Sequence, residues 1–242
     1  CNCTTAAQFF HLLRRQALDA VARPLVVMTP KGLLRLKQAS STLEDLSAGA
    51  FEAVLDDPRA SHDDVERLVL CSGKLYYDIV GHDLHEEART VAVARLEQLY
   101  PFPIDAVEAL LGRFSRLREV VWAQEEPQNM GPWRSIRHRL EEAVRASSAE
   151  SLQYVGRTWK ASPSEGYPTA HQVEQDRIVT ACVVQCGGKH PTLSANWLAN
   201  PGVEIPDGAA KIHGITTEKA RAEGQHAGEV VQQVVAALTQ VV

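Results

Sequence analysis

The sequence predicts an α/β fold with a mostly parallel sheet and flanking helices. Short apolar runs rich in Val, Leu and Ala alternate with longer stretches of helical periodicity, and turn residues separate the two. A chain of 242 residues, 45% hydrophobic and 23% charged, is long enough to bury a sizeable core. Because strands that alternate with helices join most simply through right-handed crossovers, parallel pairing is expected.

The first 65 residues predict a helix, a strand and a linker. The stretch "TTAAQFFHLLRRQALDAVA" begins with threonines that can cap a helix and spaces its apolar residues at helical intervals. The run Leu25–Met28 is short and apolar, as a buried strand would be. Residues 38–65 are polar and rich in small residues, which is typical of a surface linker with one weak helix.

The predicted sheet begins after this linker. Apolar runs indicate strands in "VERLVLCSG", "TVAVARLEQL", "LREVVWAQEE" and "LQYVGRT". Helical periodicity falls on the stretches between them, "KLYYDIVGHDLHEEA", "IDAVEALLGRFS" and "PWRSIRHRLEEAVRA". The order is therefore strand, helix, strand, helix, strand, helix, strand.

Charge and hydropathy exclude several classes of protein. With 30 acidic and 25 basic residues the net charge is -5, which argues against a nucleic-acid-binding surface across the whole protein. The sequence has no apolar run near 18 residues and no signal-peptide pattern, so we expect a cytoplasmic protein without a membrane span. The chain starts at Cys1 without a methionine, so a longer natural chain is expected.

The cysteines predict reduced thiols and no metal site. Their number is five, which is odd, and they form no CxxC pair. Cys182, Cys186 and His190 have spacing that a metal could use on a helix, but Gly187 and Gly188 interrupt it. A buried thiol and a loop histidine are the favoured interpretation.

Two adjacent carboxylates, Glu125 and Glu126, end the run "VVWAQEE" before a loop rich in Pro, Asn and Gly. The carboxyl end of a strand in an α/β sheet is where functional sites gather. Successive strand residues point to opposite faces, however, so a shared acid/base role would need a sharp turn of the backbone. Loop hydrogen bonding or a subunit contact is the favoured role.

Six segments together resemble the C-terminal end of the E1 component of 2-oxoglutarate dehydrogenase. They are "FFHLLRRQ", "RPLVVMTPKGLLR", "VLCSGKLYYDI", "VAVARLEQLYPFP", "VVWAQEEPQNMGPW" and "LQYVGRTWKASPSEGYPTAHQVEQ". The resemblance implies that residues 1–37 close a pyrimidine-binding domain, that residues 38–65 link it onward, and that residues 66–175 form a transketolase-type C-terminal domain. It also implies that Gln124, Glu125, Glu126 and Asn129 form a structural loop beside a subunit interface.

The same resemblance implies an enzyme that decarboxylates 2-oxoglutarate on thiamine diphosphate and Mg²⁺. Its partners would be a second E1 subunit and a lipoyl-bearing E2. In that family the diphosphate-binding motif and the substrate histidines precede the region that matches Cys1, and no GDG-type stretch occurs here. We therefore expect no catalytic or cofactor-binding residue in this chain, and no activity of the chain by itself.

Some relatives in that family bind the activator acetyl-CoA in this region. On the matching motifs, "LLRR" and "EQL", two of the activator residues fall on Arg15 and Gln98. Other positions depart from the pattern. Ala50, Ala53, Asp105 and Ala106 stand where those relatives carry lysine, serine and two arginines, so the chain offers less positive charge to a phosphate.

The last 67 residues resemble another family. "DRIV", "NPGVEIP" and "IHGIT" occur in the order found in DnaQ-like 3′ to 5′ exonucleases, which implies an incomplete ribonuclease-H-like fragment over residues 176–242. "VTACVVQ" and "SANWLAN" are predicted strands, and a helix is predicted after the Thr216 region. His213 is the exonuclease-like residue of interest, but the metal-binding carboxylate motifs of that family are missing.

Three functional hypotheses remain open at this point. The leading one is a structural, dimer-forming and regulatory module of the E1 enzyme. The second is a truncated exonuclease, and the third is a chimeric interaction module without activity. A junction near Gln175 and Asp176 could be natural, engineered or an artefact of assembly, and the sequence does not decide between these origins.

Overall fold

The computed structural model of the protein describes residues 1–184, 199–200, 216–226 and 229–230, with the backbone alone for 199–200. Two compact units divide the chain, Cys1–Cys186 and Gly187–Val242. The helices of the first unit are α1 (Ala6–Leu18), α2 (Leu43–Ser47), α3 (Leu75–Val80), α4 (Asp83–Glu87), α5 (Ile104–Leu111), α6 (Trp133–Arg145) and α7 (Pro168–Val183). Its strands are β1 (Val54–Leu55), β2 (Arg67–Cys71), β3 (Val91–Leu96), β4 (Glu119–Pro127) and β5 (Ser151–Arg157), and 3₁₀ turns cover Lys31–Arg35 and Lys37–Ala39.

The five strands form one sheet in the order β1-β3-β2-β4-β5. Strands β3, β2, β4 and β5 are parallel, whereas β1 is antiparallel to β3 at one edge. This confirms the predicted α/β class with a mostly parallel sheet. The chain passes from β2 to β3 on one side and then returns across β2 to β4, so the strand order reverses between β2 and β4.

Helices cover both faces of this sheet. On one face α5 and α6 pack through Leu110, Leu111, Ile136 and Leu140 onto alternate residues of β2, β3 and β4. On the other face α3 and α7 pack onto the residues between them, such as Val69, Val93 and Val121. Because both faces are buried, the central strands are apolar without alternation, and every residue of β2 is buried.

Local sequence explains where several elements begin and end. The side chain of Thr5 accepts a hydrogen bond from the backbone N–H of Gln8 and caps α1, as the threonines predicted. The predicted helix after β2 is divided into α3 and α4 at Gly81. The backbone at Gly73, in the turn from β2 to α3, has a positive φ of 66°, a conformation that glycine adopts without strain.

Two predicted strands are not present. Residues 25–28 form no strand. The N-terminal amino group of Cys1 donates a hydrogen bond to the carbonyl oxygen of Val26, and the backbone N–H of Met28 donates one to the carbonyl oxygen of Cys1. Val26 and Met28 are 70% and 53% exposed. Prolines at positions 24 and 30 flank the segment and limit pairing. The second predicted strand covered residues 179–185. From residue 179 to Val183 this stretch is instead the last part of helix α7. Tertiary packing decides this, since Ile178, Val179 and Cys182 are buried against the sheet.

Helix α7 crosses residues 175 and 176 without interruption. Its second half belongs to the same compact unit as the sheet, and that unit ends at Cys186. The side chain of Gln175, in the middle of the helix, donates a hydrogen bond to Asp78 in α3 over 2.8 Å. Residues 176–183 are therefore part of the fold that precedes them.

The second unit is described over three short elements. Strands β6 (Ala199–Asn200) and β7 (Gln225–His226) pair in parallel, and helix α8 (Thr217–Glu223) lies between them in the chain. The side chain of Thr216 accepts a hydrogen bond from the backbone N–H of Lys219, so α8 begins with the predicted threonine cap. The rest of the predicted strand "SANWLAN" and the residue His213 lie outside the described residues.

Candidate functional site

A cavity of about 950 Å³ opens at the carboxyl ends of β2 and β4. Ser72 and Lys74 reach it from the turn after β2, and Trp122 to Glu126 reach it from β4. Residues 99–102, which follow β3, and the first turns of α6 complete its wall. The cavity thus lies where the strand order reverses, which is the usual ligand position in open α/β sheets.

Gln124 holds the loop that follows β4. It is 3% exposed, and its Oε1 accepts hydrogen bonds from the indole Nε1 of Trp122 (3.0 Å) and the backbone N–H of Trp133 (3.1 Å). Its Nε2 donates to the carbonyl oxygen of Met130 at 2.8 Å and lies 3.2 Å from that of Pro127. One buried amide therefore connects the end of the strand, the loop and the first turn of α6.

Asn129 fixes the tip of the same loop. Its Nδ2 donates to the carbonyl oxygen of Lys160 at 2.9 Å, and its Oδ1 accepts from the backbone N–H of Lys160 at 3.1 Å. Gly131, which closes the loop, has φ 65°, and a Cβ there would lie 3.1 Å from Gln124 Nε2 and from the Glu126 side chain. Gln124 and Asn129 thus hold the loop at both ends through the hydrogen bonds of their side-chain amides.

Glu125 and Glu126 both line the cavity, an arrangement that requires a departure from regular strand geometry. The pairing of β4 with β5 shifts register between Ala123 and Pro127, so regular alternation is lost in this part of the strand. This irregularity is what allows two adjacent side chains to line the same cavity.

Lys74 lies beside the first of these carboxylates. Its Nζ is 2.6 Å from Glu125 Oε1 and 2.8 Å from Asp78 Oδ2. Burial alone would lower the pKa of Lys74, but the hydrogen bonds to Asp78 and Glu125 outweigh burial and raise it. Lys74 was not predicted as a site residue, although its position three residues after a buried strand is a signal that could have identified it.

Arg15 and Gln98, the two residues predicted for an activator site, are in contact. Arg15 Nη2 donates to Gln98 Oε1 at 2.9 Å, and the guanidinium lies 4.3 Å from the ring centroid of Phe51. Arg15 and Phe51 also line a cavity of about 400 Å³ together with Ala50, Arg14 and His11. The structure therefore brings together an arginine from α1 and a glutamine from the end of β3.

The buried carboxylate Glu97 connects the N-terminal segment to the sheet, and the sequence analysis missed it. It is 0% exposed and accepts hydrogen bonds from the backbone N–H of Thr4 at 2.9 Å and from the Thr4 hydroxyl at 2.5 Å. The same hydroxyl accepts from Arg95 Nη1 at 3.0 Å. Burial raises the pKa of Glu97 above its usual value, although the bonds from Thr4 oppose this shift.

The part of the chain that the structure describes contains no group of three His, Cys, Asp or Glu side chains placed to hold a metal ion. Cys182 is buried in the core of the sheet, where burial raises the pKa of its thiol to about 12. Cys186 and His190 lie outside the described residues. Within the same limits, no helix is both long enough and apolar enough to span a membrane.

Comparison with known proteins identifies the family. The family model for the 2-oxoglutarate dehydrogenase C-terminal region matches residues 40–183, which is more than half of the chain. The 2-oxoglutarate dehydrogenase E1 component of Cupriavidus necator is 45% identical over 189 residues, which are 78% of this chain and 20% of that protein. The E1 component of Bacillus subtilis is 48% identical over 186 residues, 74% of this chain and 20% of that protein.

The E1 component of Azotobacter vinelandii is 44% identical over 185 residues, which are 74% of this chain and 19% of that protein. The chain therefore spans about a fifth of the length of these relatives. The family match covers the whole sheet and ends at residue 183, the last residue of α7. On this match the chain belongs to the 2-oxoglutarate dehydrogenase E1 family, as its C-terminal region.

Proposed function

We propose that the chain serves as the C-terminal structural module of a thiamine diphosphate-dependent 2-oxoglutarate dehydrogenase E1, where it supports dimerisation. The observation that carries this proposal is the loop built on Gln124. It lies within the region that the family model matches, and its buried hydrogen bonds tie β4 to α6. In this proposal residues 1–37 are the end of a pyrimidine-binding domain, and residues 38–65 link that domain to a transketolase-type domain that begins at residue 66.

The described residues do not fit thiamine diphosphate and its Mg²⁺. A bound diphosphate needs a metal held by carboxylate or amide oxygens, and no suitable group of acidic side chains is present among these residues. The cofactor would bind to other parts of a complete E1, and a second E1 subunit and a lipoyl-bearing E2 would be the partners. No catalytic step is assigned to Glu125 or Glu126.

A domain exchange tests the proposal. The region of the Bacillus subtilis E1 that matches residues 40–183 would be replaced by those residues, and 2-oxoglutarate oxidation by the complete enzyme complex would be measured. We expect the chimera to retain activity within about tenfold, or about 1.4 kcal/mol of barrier. A chimera that also carries Glu125→Gln should likewise keep its activity within about tenfold. A chimera that folds but loses about a thousandfold in the activity of 2-oxoglutarate oxidation would contradict the structural role.

We further propose a regulatory role for the pair Arg15 and Gln98, as a reduced form of an acetyl-CoA site. The contact between them and the stacking of Arg15 on Phe51 support it. Ala50 contributes only a methyl group to the neighbouring cavity, so this position offers no positive charge to the phosphates of acetyl-CoA. Calorimetry with acetyl-CoA should give weak binding that Arg15→Ala abolishes and Arg35→Ala leaves unchanged. Binding that is indifferent to Arg15 would refute this role.

The exonuclease-like fragment over residues 176–242 has less support. The residues of its "DRIV" segment lie in α7, where Ile178 and Val179 are buried against the E1-type sheet. A nuclease assay with Mg²⁺ or Mn²⁺ on single-stranded DNA, with wild-type chain and a chain truncated after Val184, tests this alternative. Cleavage that depends on residues 185–242 would favour it over the E1 module.

A further inference from the structure

The large cavity at the carboxyl ends of β2 and β4 has the position and size of a small-molecule site. Its volume of about 950 Å³ lies within the range of about 300 to 1,000 Å³ that is usual for ligand pockets. The crossovers leave β2 and β4 in opposite directions, so their carboxyl ends frame an open crevice. The fold thus forms this cavity by its topology and does not require a ligand to create it.

The charges around the cavity do not balance. Lys74 is shared between two carboxylates, Glu125 and Asp78, and Arg139 is paired with Glu142 at 3.1 Å. Glu126 makes no hydrogen bond or ion pair through its carboxylate with any residue that the structure describes. The lining itself carries Lys74 and Arg139 against two carboxylates, and the acidic excess comes from Asp78 and Glu142, which pair with these cations from outside the lining. Glu126 is the lining carboxylate without a partner in the described part of the chain.

The position of Glu126 is maintained by the backbone around it. Its side chain lies against Gly131, where a Cβ would approach Glu126 Cβ and Cδ to 3.1 Å. The Tyr154 hydroxyl donates to the Glu126 carbonyl oxygen at 3.2 Å, which fixes the main chain at this residue. Because these contacts do not use the carboxylate oxygens, both oxygens can accept hydrogen bonds from a ligand.

The remaining wall is apolar and partly aromatic. Phe102 and Leu99 line the inner part and Tyr100, 88% exposed, stands at the rim, whereas Trp122 and Ile136 lie behind this surface in the core. Aromatic and aliphatic surfaces of this kind bind the apolar body of a ligand, and faces of aromatic rings also attract cations. The cavity thus combines an apolar and aromatic surface with the unpaired carboxylate of Glu126, and the lining residues Asn2 and Ser72 also carry side-chain oxygens without a partner among the described residues, although both atoms are buried.

We propose that this cavity binds a small organic cation, a primary ammonium on an aromatic body, with Glu126 as the carboxylate that receives the ammonium. The site is separate from the cavity that Arg15 lines, and the proposal does not depend on the function proposed above. A charge-assisted hydrogen bond to Glu126 supplies selectivity for the ammonium. The body of the ligand lies against Phe102 and Tyr100.

Three probes of similar shape test the charge preference with the full chain of 242 residues. They are 2-phenylethylammonium, the neutral 2-phenylethanol and the anion 3-phenylpropionate. Binding would be followed by ¹H–¹⁵N NMR, with the indole resonance of Trp122 assigned through Trp122→Phe. We expect the ammonium to bind at least tenfold more tightly than the alcohol and to shift the Trp122 resonance. The carboxylate should bind most weakly.

Two variants connect the binding to this cavity. Glu126→Gln keeps the size of the side chain, removes its charge and should reduce the preference for the ammonium over the alcohol to less than about threefold. Ser135→Arg places a cation at the exposed wall and should abolish ammonium binding, whereas the exposed control Glu87→Gln should change nothing. Equal affinities for the three probes, or an ammonium affinity unchanged by Glu126→Gln in a folded protein, would overturn the proposal.

Discussion

At the scale of single residues, buried polar side chains organise this domain. Gln124 uses both ends of its amide, and Glu97 receives two bonds from Thr4. Burying such groups is favourable only when they are paired, because an unpaired buried donor or acceptor costs about 1–3 kcal/mol. Each of the two residues therefore specifies the geometry of a connection that the apolar core leaves undetermined.

Gln124→Ala should destabilise the chain by about 2–4 kcal/mol. The substitution removes partners from Trp122 Nε1 and from the backbone of Trp133 and Met130, and each group left without a partner carries a cost. Urea unfolding monitored by tryptophan fluorescence measures the loss. The control is Gln128→Ala, which should stay within about 0.5 kcal/mol of wild type. Equal stability of the two variants would show that Gln124 does not hold the loop.

Glu97 should make the stability depend on pH. Its pKa is raised in the folded state by burial, so the folded protein binds more protons than the unfolded chain between about pH 4.3 and the raised value. The stabilising contribution of Glu97 to the free energy of unfolding is fully present below that pH window and is lost as the pH rises through it. Glu97→Gln removes this dependence.

Unfolding titrations at several pH values provide the measurement for Glu97. The free energy of unfolding of the wild type, relative to Glu97→Gln, should fall as the pH rises through the window. The exposed substitution Glu108→Gln should run parallel to the wild type. A wild type that gains stability over Glu97→Gln with rising pH would contradict the sign of the pKa shift.

At the scale of elements, helix α7 is the main difference between the predicted and the observed structure. The sequence after Gln175 alternates enough to suggest a strand, yet Ile178, Val179, Cys182 and Val183 recur at helical intervals and are all buried. The backbone carbonyl of Val184, just after the helix, accepts a bond from Arg67 Nη1 at 2.6 Å. Helix α7 therefore closes one face of the sheet.

Truncation within α7 tests its contribution. A chain that ends at Gln175 should be far less stable than one that ends at Val184, because it loses the apolar half of the helix. Within the full chain, Ile178→Ala should cost about 2–5 kcal/mol, whereas Val173→Ala, at a position 68% exposed, should cost less than about 1 kcal/mol. Equal stability of the two truncated chains would place the end of the domain before residue 176.

At the scale of the whole molecule, the chain carries the family match over its five-stranded sheet and spans about a fifth of the length of the E1 relatives. We predict that the isolated chain does not bind thiamine diphosphate tightly and does not turn over 2-oxoglutarate. Calorimetry with the cofactor and Mg²⁺ is the measurement, and the complete E1 of Bacillus subtilis is the positive control. Micromolar, Mg²⁺-dependent binding by the isolated chain would contradict this prediction.

The sequence by itself determined the α/β class and, along the chain, the succession of the four parallel strands and the helices between them. These follow from local periodicity and from capping residues such as Thr5 and Thr216, which act within a few residues of their own position. The motifs of residues 1–175 also carried the resemblance to the E1 family that the comparisons confirm. Local sequence could therefore identify most of the elements of the sheet domain, but it assigned strands to residues 25–28 and 179–185, where the structure has none up to Val184.

Only the tertiary structure decided which surfaces are buried and which distant residues meet. Helix α1 was predicted, but it buries Leu12 and leaves Phe9 and Leu13 about 40% exposed, because its partners come from remote segments. The same is true of the cavity shared by Glu125 and Glu126, which depends on a register shift against β5. Such contacts depend on where chain segments far apart in sequence pack, and periodicity along one segment contains no information about that packing.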